Sequence, residues 1–239
     1  MDRAAIVTGA SSGMGFAIAR TLAETGHAVT MVARRPDKLE AAGKTLRNKG
    51  HDVQELALNL RDPEAPVEVV ARHKEAYGRL DVLVNNAGVG DGRPIEEQID
   101  KYVDLVLAVN LRAVVQFYRE ATPMLRAAAE EHHNAHVINI ASIAAKRPAA
   151  LVSVYSATKA GVVAFTQAMN KELGHLGIKS CALCPGFVDT EMTAWIRDQV
   201  PPSDMIQPED VAGAVRWLLT TSPQCVVPEI QFTRPGDNE

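Results

Sequence analysis

The sequence lacks several features that would assign a protein to a class before any motif is considered. No apolar run reaches the roughly 18 to 20 residues needed to cross a bilayer. Lysine and arginine total 25 against 29 aspartate and glutamate residues, which gives a formal net charge of −4 and no extended basic stripe. Because binding to a phosphate backbone needs such a stripe, we expect no nucleic-acid partner, and we expect no membrane association.

Cysteine is scarce, and its number is odd. The three cysteines, Cys181, Cys184 and Cys225, argue against a disulfide framework and for a reducing compartment. Cys181 and Cys184 lie three residues apart in a predicted strand, so their side chains point to opposite faces and we do not expect zinc or redox chemistry. The first predicted strand begins directly after residue 3 and leaves no room for a signal peptide. We therefore expect a cytoplasmic protein.

Three histidines cluster between a predicted helix and the fifth predicted strand. They are His132, His133 and His136, and they lie at the amino end of the predicted sheet, away from the expected ligand site. We interpret this cluster as a solvated turn, with adventitious metal binding as the alternative. The sequence therefore predicts no metal site.

Short β-branched runs alternate with longer amphipathic stretches along the whole chain. This alternation is typical of βαβ units that build a parallel sheet. It predicts strands at residues 4–8, 28–32, 53–59, 82–85, 136–142, 178–185 and 226–233, and helices near residues 13–25, 36–49, 63–77, 100–129, 153–174 and 208–220. We therefore predict an α/β protein, residues 1–239 forming one domain, with a Rossmann-type doubly wound sheet of seven mostly parallel strands flanked by helices on both faces.

One long stretch without periodicity, residues 187–207, follows the sixth predicted strand. Irregular segments of this length are usually binding loops or lids. Ligands of doubly wound sheets bind outside the carboxyl ends of the strands, where this segment begins. We expect it to cover the substrate.

A glycine-rich turn joins the first predicted strand to the first predicted helix. Glycines allow the backbone to approach a pyrophosphate closely, and the helix that follows offers unpaired N–H groups to the anion. The alternative is a tight turn without a ligand, but the position after the first of seven strands favours a dinucleotide site. The residues predicted to bind the cofactor in this turn are Gly9, Ser11, Ser12, Gly13, Met14 and Gly15.

The end of the second predicted strand carries two arginines. A site for NAD places an aspartate or glutamate there to hold the ribose hydroxyls, whereas this sequence has Arg34 and Arg35. A guanidinium group can pair with a 2′-phosphate in a bidentate way, so we predict NADP(H), with NAD less favoured. Two solvated surface charges are the alternative. Asp37, the nearest carboxylate, follows Pro36 and is explained as a first-turn charge of the next helix.

In its order of motifs the chain resembles the short-chain dehydrogenase/reductase family, in its compact single-domain branch. The resemblance covers nearly the whole chain. The motifs that carry it are Thr8 to Gly15, Asn85-Asn86-Ala87-Gly88, Asn110, Ser142, Tyr155 to Lys159, and Pro185-Gly186.

A tyrosine and a lysine four residues apart are the candidate acid/base pair. On a helix, Tyr155 and Lys159 lie on one face, and an adjacent ammonium favours the phenolate and moves the pKa of the phenol toward working pH. Tyr155 could then act as general acid or base. The resemblance implies that Ser142 hydrogen-bonds the substrate oxygen, that Asn110 holds a water linked to Lys159, and that Lys159 binds the nicotinamide ribose.

The resemblance also implies further contacts with the cofactor. Tyr155 and Lys159 belong to this set. The other residues are Asn59 and Leu60 beside the adenine, where the family often has an aspartate, Asn86, Ala87 and Gly88 on the adenosine side, and Pro185, Gly186, Val188 and Thr190 near the nicotinamide and the lid.

These predictions favour an NADP(H)-dependent oxidoreductase that transfers a hydride between nicotinamide and a carbonyl or secondary alcohol carbon. Its substrate would be a small molecule such as a ketone, a 3-oxoacyl thioester or a 3-hydroxy acid. The alternative is a silent dinucleotide-binding sensor or scaffold of the same fold, against which the intact Ser142, Tyr155 and Lys159 argue. The resemblance implies a homodimer or homotetramer, while the segment after residue 226 lacks the family's usual glycine-rich ending.

Overall fold

The structure is a computed structural model that describes residues 3–237 of the chain. Within them one parallel sheet has the strand order β3-β2-β1-β4-β5-β6-β7. The strands are β1 (Arg3–Thr8), β2 (His27–Ala33), β3 (Val53–Ala57), β4 (Val82–Asn85), β5 (Ala135–Ile140), β6 (Ile178–Pro185) and β7 (Glu229–Phe232). The helices are α1 (Gly13–Glu24), α2 (Pro36–Arg47), α3 (Ala65–Tyr77), α4 (Asp100–Leu107), α5 (Ala113–His132), α6 (Ser153–Leu173) and α7 (Pro208–Leu218). The predicted fold class is confirmed.

Two hydrophobic cores cover the two faces of the sheet, and residue alternation decides which core a side chain joins. In β1, Ala5 and Val7 face the core formed with α1, α2 and α7, whereas Ile6 faces the core formed with α3, α5 and α6. Because a parallel sheet is covered on both faces, β2, β5 and β6 are buried along their whole length. Cys181 and Cys184 lie in opposite cores, as their spacing predicts.

The strand order reverses between β1 and β4. The chain therefore leaves the carboxyl ends of these neighbouring strands toward opposite faces of the sheet, and a crevice opens between the two connections. The glycine-rich turn and the segment that begins at Asn86 both lie at this crevice. None of the helices in residues 3–237 is both long and apolar enough to cross a bilayer.

The long helix predicted at residues 100–129 is interrupted. A π-helical turn over Ala108–Arg112, which contains Asn110, joins α4 to α5, and α5 continues through Pro123 to His132. A π turn closes i→i+5 hydrogen bonds, and an apolar pattern read with a period of 3.6 residues does not reveal it.

Other predicted boundaries also differ from the structure, among them the end of the third strand, which was predicted at residue 59 and lies at Ala57. The fifth strand ends at Ile140, two residues before Ser142, and the predicted strand 226–233 is reduced to Glu229–Phe232. The segment 187–207 is not wholly irregular, since it contains short 3₁₀ helices at Glu191–Ile196 and Pro202–Asp204. Local hydrogen bonds within three residues form these helices without any apolar periodicity that a sequence pattern could show.

One histidine of the cluster is buried, so the interpretation as a solvated turn is wrong for His136. This side chain is 3% exposed, and its Nε2 lies 3.1 Å from Asn134 Oδ1. His132 Nε2 lies 2.9 Å from Oδ1 of the buried Asp81, and only His133 is exposed. Among residues 3–237 no group of three or more histidine, cysteine or acidic side chains could hold a metal ion.

Asp81 anchors the amino edge of the sheet. Its carboxylate accepts hydrogen bonds from the Ala4 amide at 2.8 Å and from two nitrogens of Arg79 at 2.9 and 2.7 Å. Burial alone would raise the pKa of Asp81, but the bonds from Arg79, Ala4 and His132 hold it below its ordinary value. A buried carboxylate with this many donors is stabilising only while every donor remains in place.

We expect the folded state to be sensitive to mild acid. Burial lowers the pKa of His73 to about 4 and that of His136 to about 3, so the folded protein binds fewer protons than the unfolded chain below pH 6.5. Stability is therefore lost as pH falls, by about 3 to 4 kcal/mol for these two residues together between pH 7 and pH 5. Urea unfolding at both pH values measures this loss.

The matched variant is His136→Gln, which keeps a side-chain N–H group for Asn134 and cannot be protonated. It should lose roughly half as much stability over the same pH interval. An identical loss in the variant and the wild type would contradict the assignment to the buried histidines.

Candidate active site

The turn after β1 is packed so closely that only glycine fits at its critical positions. Gly9 has a φ of +67°, and a Cβ on Gly15 would lie 2.2 Å from the Gly9 carbonyl oxygen. The Asn86 side chain fixes this turn from β4, since its Nδ2 donates to the carbonyls of Thr8 at 2.9 Å and Gly9 at 3.2 Å. Asn86 is predicted to contact the cofactor, and in the structure its side chain fixes the conformation of the glycine-rich turn.

The amino end of α1 opens into a cleft of about 550 Å³ beside this turn. The cap residue Ser12 makes no side-chain hydrogen bond to the helix, and the first turn carries no acidic side chain. First-turn N–H groups of a helix have no partner within the helix, so they are available to an anion. The volume is in the range of clefts that bind cofactors.

Most of the residues predicted to bind a cofactor line this cleft. They are Gly9, Ser11, Ser12, Gly13, Met14, Gly15, Arg34, Arg35, Asn59, Leu60, Asn86, Ala87, Gly88 and Thr190. The structure does not place Tyr155, Lys159, Pro185, Gly186 or Val188 in the lining. Tyr155 and Lys159 instead contact the backbone of residues 88–90, which line the cleft.

Cations gather where β2 passes into α2. Arg34 and Arg35 are exposed at the rim of the cleft, and Lys38 follows in the first turn of α2. Arg35 and Lys38 both pair with the carboxylate of Glu191, which reaches them from the segment after β6. Asp37 is exposed in the first turn of α2, behind Pro36, as predicted.

The ammonium group of Lys159 is buried at the carboxyl end of β5. Its Nζ donates to the Ile140 carbonyl at 2.7 Å and lies 5.7 Å from the centre of the Tyr155 ring. Burial disfavours the charged form and lowers the pKa of Lys159 to about 8. At neutral pH the group is therefore still largely protonated.

The expected acidification of Tyr155 is not present in this arrangement. Burial raises the pKa of Tyr155 above its ordinary value, and a hydrogen bond with the Ser142 side chain opposes this shift only in part. The ammonium of Lys159 is directed to the Ile140 carbonyl rather than to the phenolic oxygen. The prediction from helical spacing alone was thus wrong for this state, and the phenol is protonated at neutral pH.

Ser142 follows β5 in extended conformation and starts a short 3₁₀ helix at Ile143–Ala145. Its Oγ accepts a hydrogen bond from the Ala144 amide at 3.1 Å. This bond leaves the hydroxyl hydrogen free to be donated elsewhere. Ser142 can therefore cap the 3₁₀ helix with its oxygen and at the same time donate its hydroxyl hydrogen to another oxygen.

Asn110 is fully used by the protein itself. Its amide receives a hydrogen bond from the Val89 N–H at 2.9 Å and donates to the Val89 carbonyl at 2.9 Å and to Thr158 Oγ1 at 3.2 Å. It thus clamps the segment after β4 onto α6. A Cβ on Gly88 would lie 3.4 Å from Lys159 Nζ and 3.6 Å from Asn110 Oδ1, so this glycine separates both groups from the cleft.

The same segment covers the tyrosine. A Cβ on Gly90 would lie 2.7 Å from Tyr155 Cδ2, so the backbone at this glycine is in direct contact with the ring. Tyr155, Ser142 and Lys159 therefore form one group, which adjoins the cleft at the backbone of Gly88 and Gly90.

The segment 187–207, which we call the lid, follows β6, and the residues around Gly186 and Val188 form its base. The Gly186 amide donates to the Phe232 carbonyl at 2.9 Å, while the Val188 carbonyl accepts the Thr193 hydroxyl at 2.5 Å. Val188, predicted to lie near the nicotinamide, is 2% exposed. Thr190 caps the 3₁₀ helix Glu191–Ile196 and faces Gly13 across the cleft.

The sequence analysis missed several residues of this site. Lys38 and Glu191 meet only because the lid crosses to α2, although Lys38 lies one helical turn beyond Arg34 and could have been included on that spacing. A buried amide network below the site was also missed. In it, Asn139 Nδ2 donates to Tyr118 and Thr166, and Asn139 Oδ1 accepts from Asn85.

Comparison with known proteins agrees with this geometry. The sequence model of the short chain dehydrogenases matches residues 3–201. A putative ketoacyl reductase of the monensin polyketide synthase from Streptomyces virginiae is 35% identical over 238 residues, covering 92% of this chain and 90% of the relative.

Solved structures agree as well. Actinorhodin polyketide ketoreductase with NADPH has a TM-score of 0.87 at 32% identity, over 96% of this chain and 94% of that chain. A 3-ketoacyl-(acyl-carrier-protein) reductase from Brucella melitensis, complexed with NADH, has a TM-score of 0.87 at 26% identity, over 96% of this chain and 95% of its own. The chain belongs to the short-chain dehydrogenase/reductase family.

Proposed function

We propose that this protein is an NADP(H)-dependent reductase of carbonyl groups, in which Tyr155 is the general acid, Ser142 a polarising donor and Lys159 the group that supports them. The observation that carries the proposal is the grouping of these three side chains directly behind a nucleotide-sized cleft. A scaffold without turnover would have no need for a buried ammonium, because burial of that charge is costly.

The residues around the cleft fit a dinucleotide. The N–H groups at the start of α1 suit the pyrophosphate, and Arg34 and Arg35 suit a 2′-phosphate. Asn59 and Leu60 would lie beside the adenine, and Asn86, Ala87 and Gly88 beside the adenosine ribose. Lys159 would hold the nicotinamide ribose, and the Pro185, Gly186, Val188 and Thr190 backbone would face the nicotinamide end.

The chemistry divides between the cofactor and the chain. When bound, a nicotinamide supplies or accepts the hydride. Tyr155 donates its phenolic proton to the substrate oxygen as negative charge develops there, and Ser142 donates a hydrogen bond to the same atom. Lys159, still charged at neutral pH, favours the phenolate that remains. Because the phenol is protonated at neutral pH, it can act as the acid in the reduction. In this proposal Asn110 shapes the site by holding the segment after β4 against α6.

The names of the relatives indicate the substrate class. The two polyketide proteins are a ketoacyl reductase and a ketoreductase, and the Brucella protein is a 3-ketoacyl reductase. We therefore propose a ketone, a 3-oxoacyl thioester or the related 3-hydroxy compound as the substrate. The Brucella structure contains NADH, so cofactor choice rests on this chain's own arginines.

The working form would be a homo-oligomer, a dimer or tetramer, of single-domain subunits in the cytoplasm. Large apolar side chains that are exposed along α4 and α5 support the oligomer, namely Ile99, Leu107 and Val115 at 55%, 43% and 41% exposure. Light scattering coupled to size exclusion gives the number of subunits.

Replacing the proposed acid should abolish turnover but not folding. In Tyr155→Phe, kcat for NADPH-dependent reduction of a panel of ketones and oxoacyl thioesters should fall by about 10² to 10⁴, the usual contribution of general acid–base catalysis. Tyr77→Phe is the matched control, because Tyr77 ends α3 at the other edge of the sheet, and it should keep kcat within about twofold. Wild-type turnover in Tyr155→Phe would exclude Tyr155 as the acid.

The buried charge of Lys159 should lower the free energy of unfolding, although the enzyme needs Lys159 for turnover. Its folded pKa of about 8 lies below the unfolded value of 10.5, so the unfolded chain binds more protons in that interval and stability rises with pH. Unfolding free energy should gain about 2 kcal/mol between pH 7 and pH 10 relative to Lys159→Met, which should also lose activity. Parallel pH profiles of the two proteins would refute the buried-charge assignment.

The arginines should select the cofactor. Arg34→Ala combined with Arg35→Ala should raise the Kd for NADPH by about 10- to 100-fold and leave the Kd for NADH nearly unchanged, since only NADPH carries the 2′-phosphate. Nucleotide fluorescence measures both constants. Arg72→Ala combined with Lys74→Ala removes two charges from α3 and serves as the control. Tighter binding of NADH than NADPH by the wild type would overturn the cofactor assignment.

A further inference from the structure

One carboxylate bridges the lid and the cationic corner of the cleft. Glu191 Oε2 lies 3.0 Å from an Arg35 nitrogen, and Glu191 Oε1 is hydrogen-bonded to Lys38 Nζ. All three side chains are about half exposed, at 59%, 47% and 45%. Arg34 beside them has no ion-pair partner within residues 3–237. The corner therefore contains three cations, two of which pair with a single carboxylate from another part of the chain.

The lid is in place for this contact. Thr190 lies against the glycine turn, where a Cβ on Gly13 would be 3.0 Å from Thr190 Cγ2. Thr190 and Thr193 form a reciprocal cap that begins the 3₁₀ helix, and Glu191 is the first residue of this helix. The start of the lid thus spans the cleft from α1 to α2.

We propose that Glu191 is an internal stand-in for the 2′-phosphate, so that a 2′-phosphorylated nucleotide has to displace this carboxylate and thereby frees the lid from α2. This inference rests on the proposed preference for NADP(H). It assigns to Lys38 a direct role in phosphate binding and to Glu191 a role as a latch that NADH, which lacks the phosphate, does not release.

The Glu191 carboxylate and a bound 2′-phosphate exclude each other because of their charge and geometry. A phosphate monoester has three acceptor oxygens and a charge between −1.5 and −2 at neutral pH, and a guanidinium binds such a group bidentately. The pairing with Lys38 and Arg35 lowers the pKa of Glu191, so the carboxylate is ionised at the same pH. Two such anions on the same two cations would repel each other, and the phosphate has the larger charge.

Exposed ion pairs are weak, so the latch must be modest in strength. Pairs of this kind contribute little, because both partners remain solvated and are screened by salt. A latch of this size can be displaced by a nucleotide yet still lowers its apparent affinity. We therefore expect effects of severalfold, not of orders of magnitude.

The first test measures nucleotide affinity. Glu191→Gln keeps the size of the side chain and removes its charge, and it should lower the Kd for NADPH by about 3- to 10-fold while the Kd for NADH changes by less than twofold. Asp198→Asn makes the same charge change at another exposed position of the lid, one without an ion pair within residues 3–237, and it should leave both constants within twofold.

The second test measures the release of the lid. Arg197 is exposed in the lid, so trypsin cleavage after this residue, identified by mass spectrometry, reports its mobility. Adenosine 2′-monophosphate should accelerate this cleavage in the wild type at least twofold, whereas adenosine 5′-monophosphate should not. In Glu191→Gln cleavage should already be fast without nucleotide.

The outcomes separate the latch from the cofactor assignment. If the wild type binds NADPH more tightly than NADH, but Glu191→Gln leaves the Kd for NADPH unchanged or improves NADH equally, the latch is overturned and the proposed function stands. If Asp198→Asn reproduces the gain, general electrostatics replaces the latch. If the wild type prefers NADH, the cofactor preference falls first, and the latch falls with it.

Discussion

Close packing of the turn after β1 against the end of β4 is the constraint on which the whole site depends. The Gly15 Cα lies so near the Gly9 carbonyl that no side chain fits, and the Asn86 amide closes the same contact from the neighbouring strand. The contact sets the direction of α1 and fixes where the segment after β4 begins. That segment continues through Gly88 and Gly90 to cover Lys159 and Tyr155. The packing of this turn against the end of β4 therefore positions both the glycine-rich turn and the group formed by Tyr155, Ser142 and Lys159.

Burial, more than proximity, determines the electrostatics of the catalytic group. A tyrosine and a lysine one helical turn apart would favour the phenolate if the ammonium faced the phenol. Here Lys159 donates to the Ile140 carbonyl, and both pKa shifts follow the loss of solvent: Tyr155 upward and Lys159 downward. Both shifts favour the neutral forms, so the phenol keeps its proton at neutral pH. Such a state suits a proton donor better than a base.

The sequence predicted the fold well because parallel βαβ units leave a simple pattern of buried runs. Strand β4 and β6 boundaries agree with the structure, and the cleft lining agrees for the turn at Gly9 to Gly15 because local glycine spacing defines it. The π turn around Asn110, the burial of His136 and the pairing of Glu191 with Lys38 could not be read in this way. Each depends on which distant segments meet, and such contacts have no period along the chain.

The two ends of the lid are anchored by forces of different kinds. The base of the lid is held by buried backbone groups. Val188 pairs with Ile206 in a parallel bridge, and the Ile206 amide donates to the Phe187 carbonyl at 3.0 Å. Phe187 in turn packs edge-on against Trp195 and beneath Arg234. Within residues 3–237, the ion pairs that join the start of the lid helix to α2 are the exposed pairs of Glu191 with Arg35 and Lys38. Backbone pairing in a dry environment is insensitive to an anion, whereas an exposed ion pair competes with one directly. We therefore expect a charged nucleotide to loosen the Glu191 end of the lid and to leave the backbone pairing of Val188 with Ile206 intact.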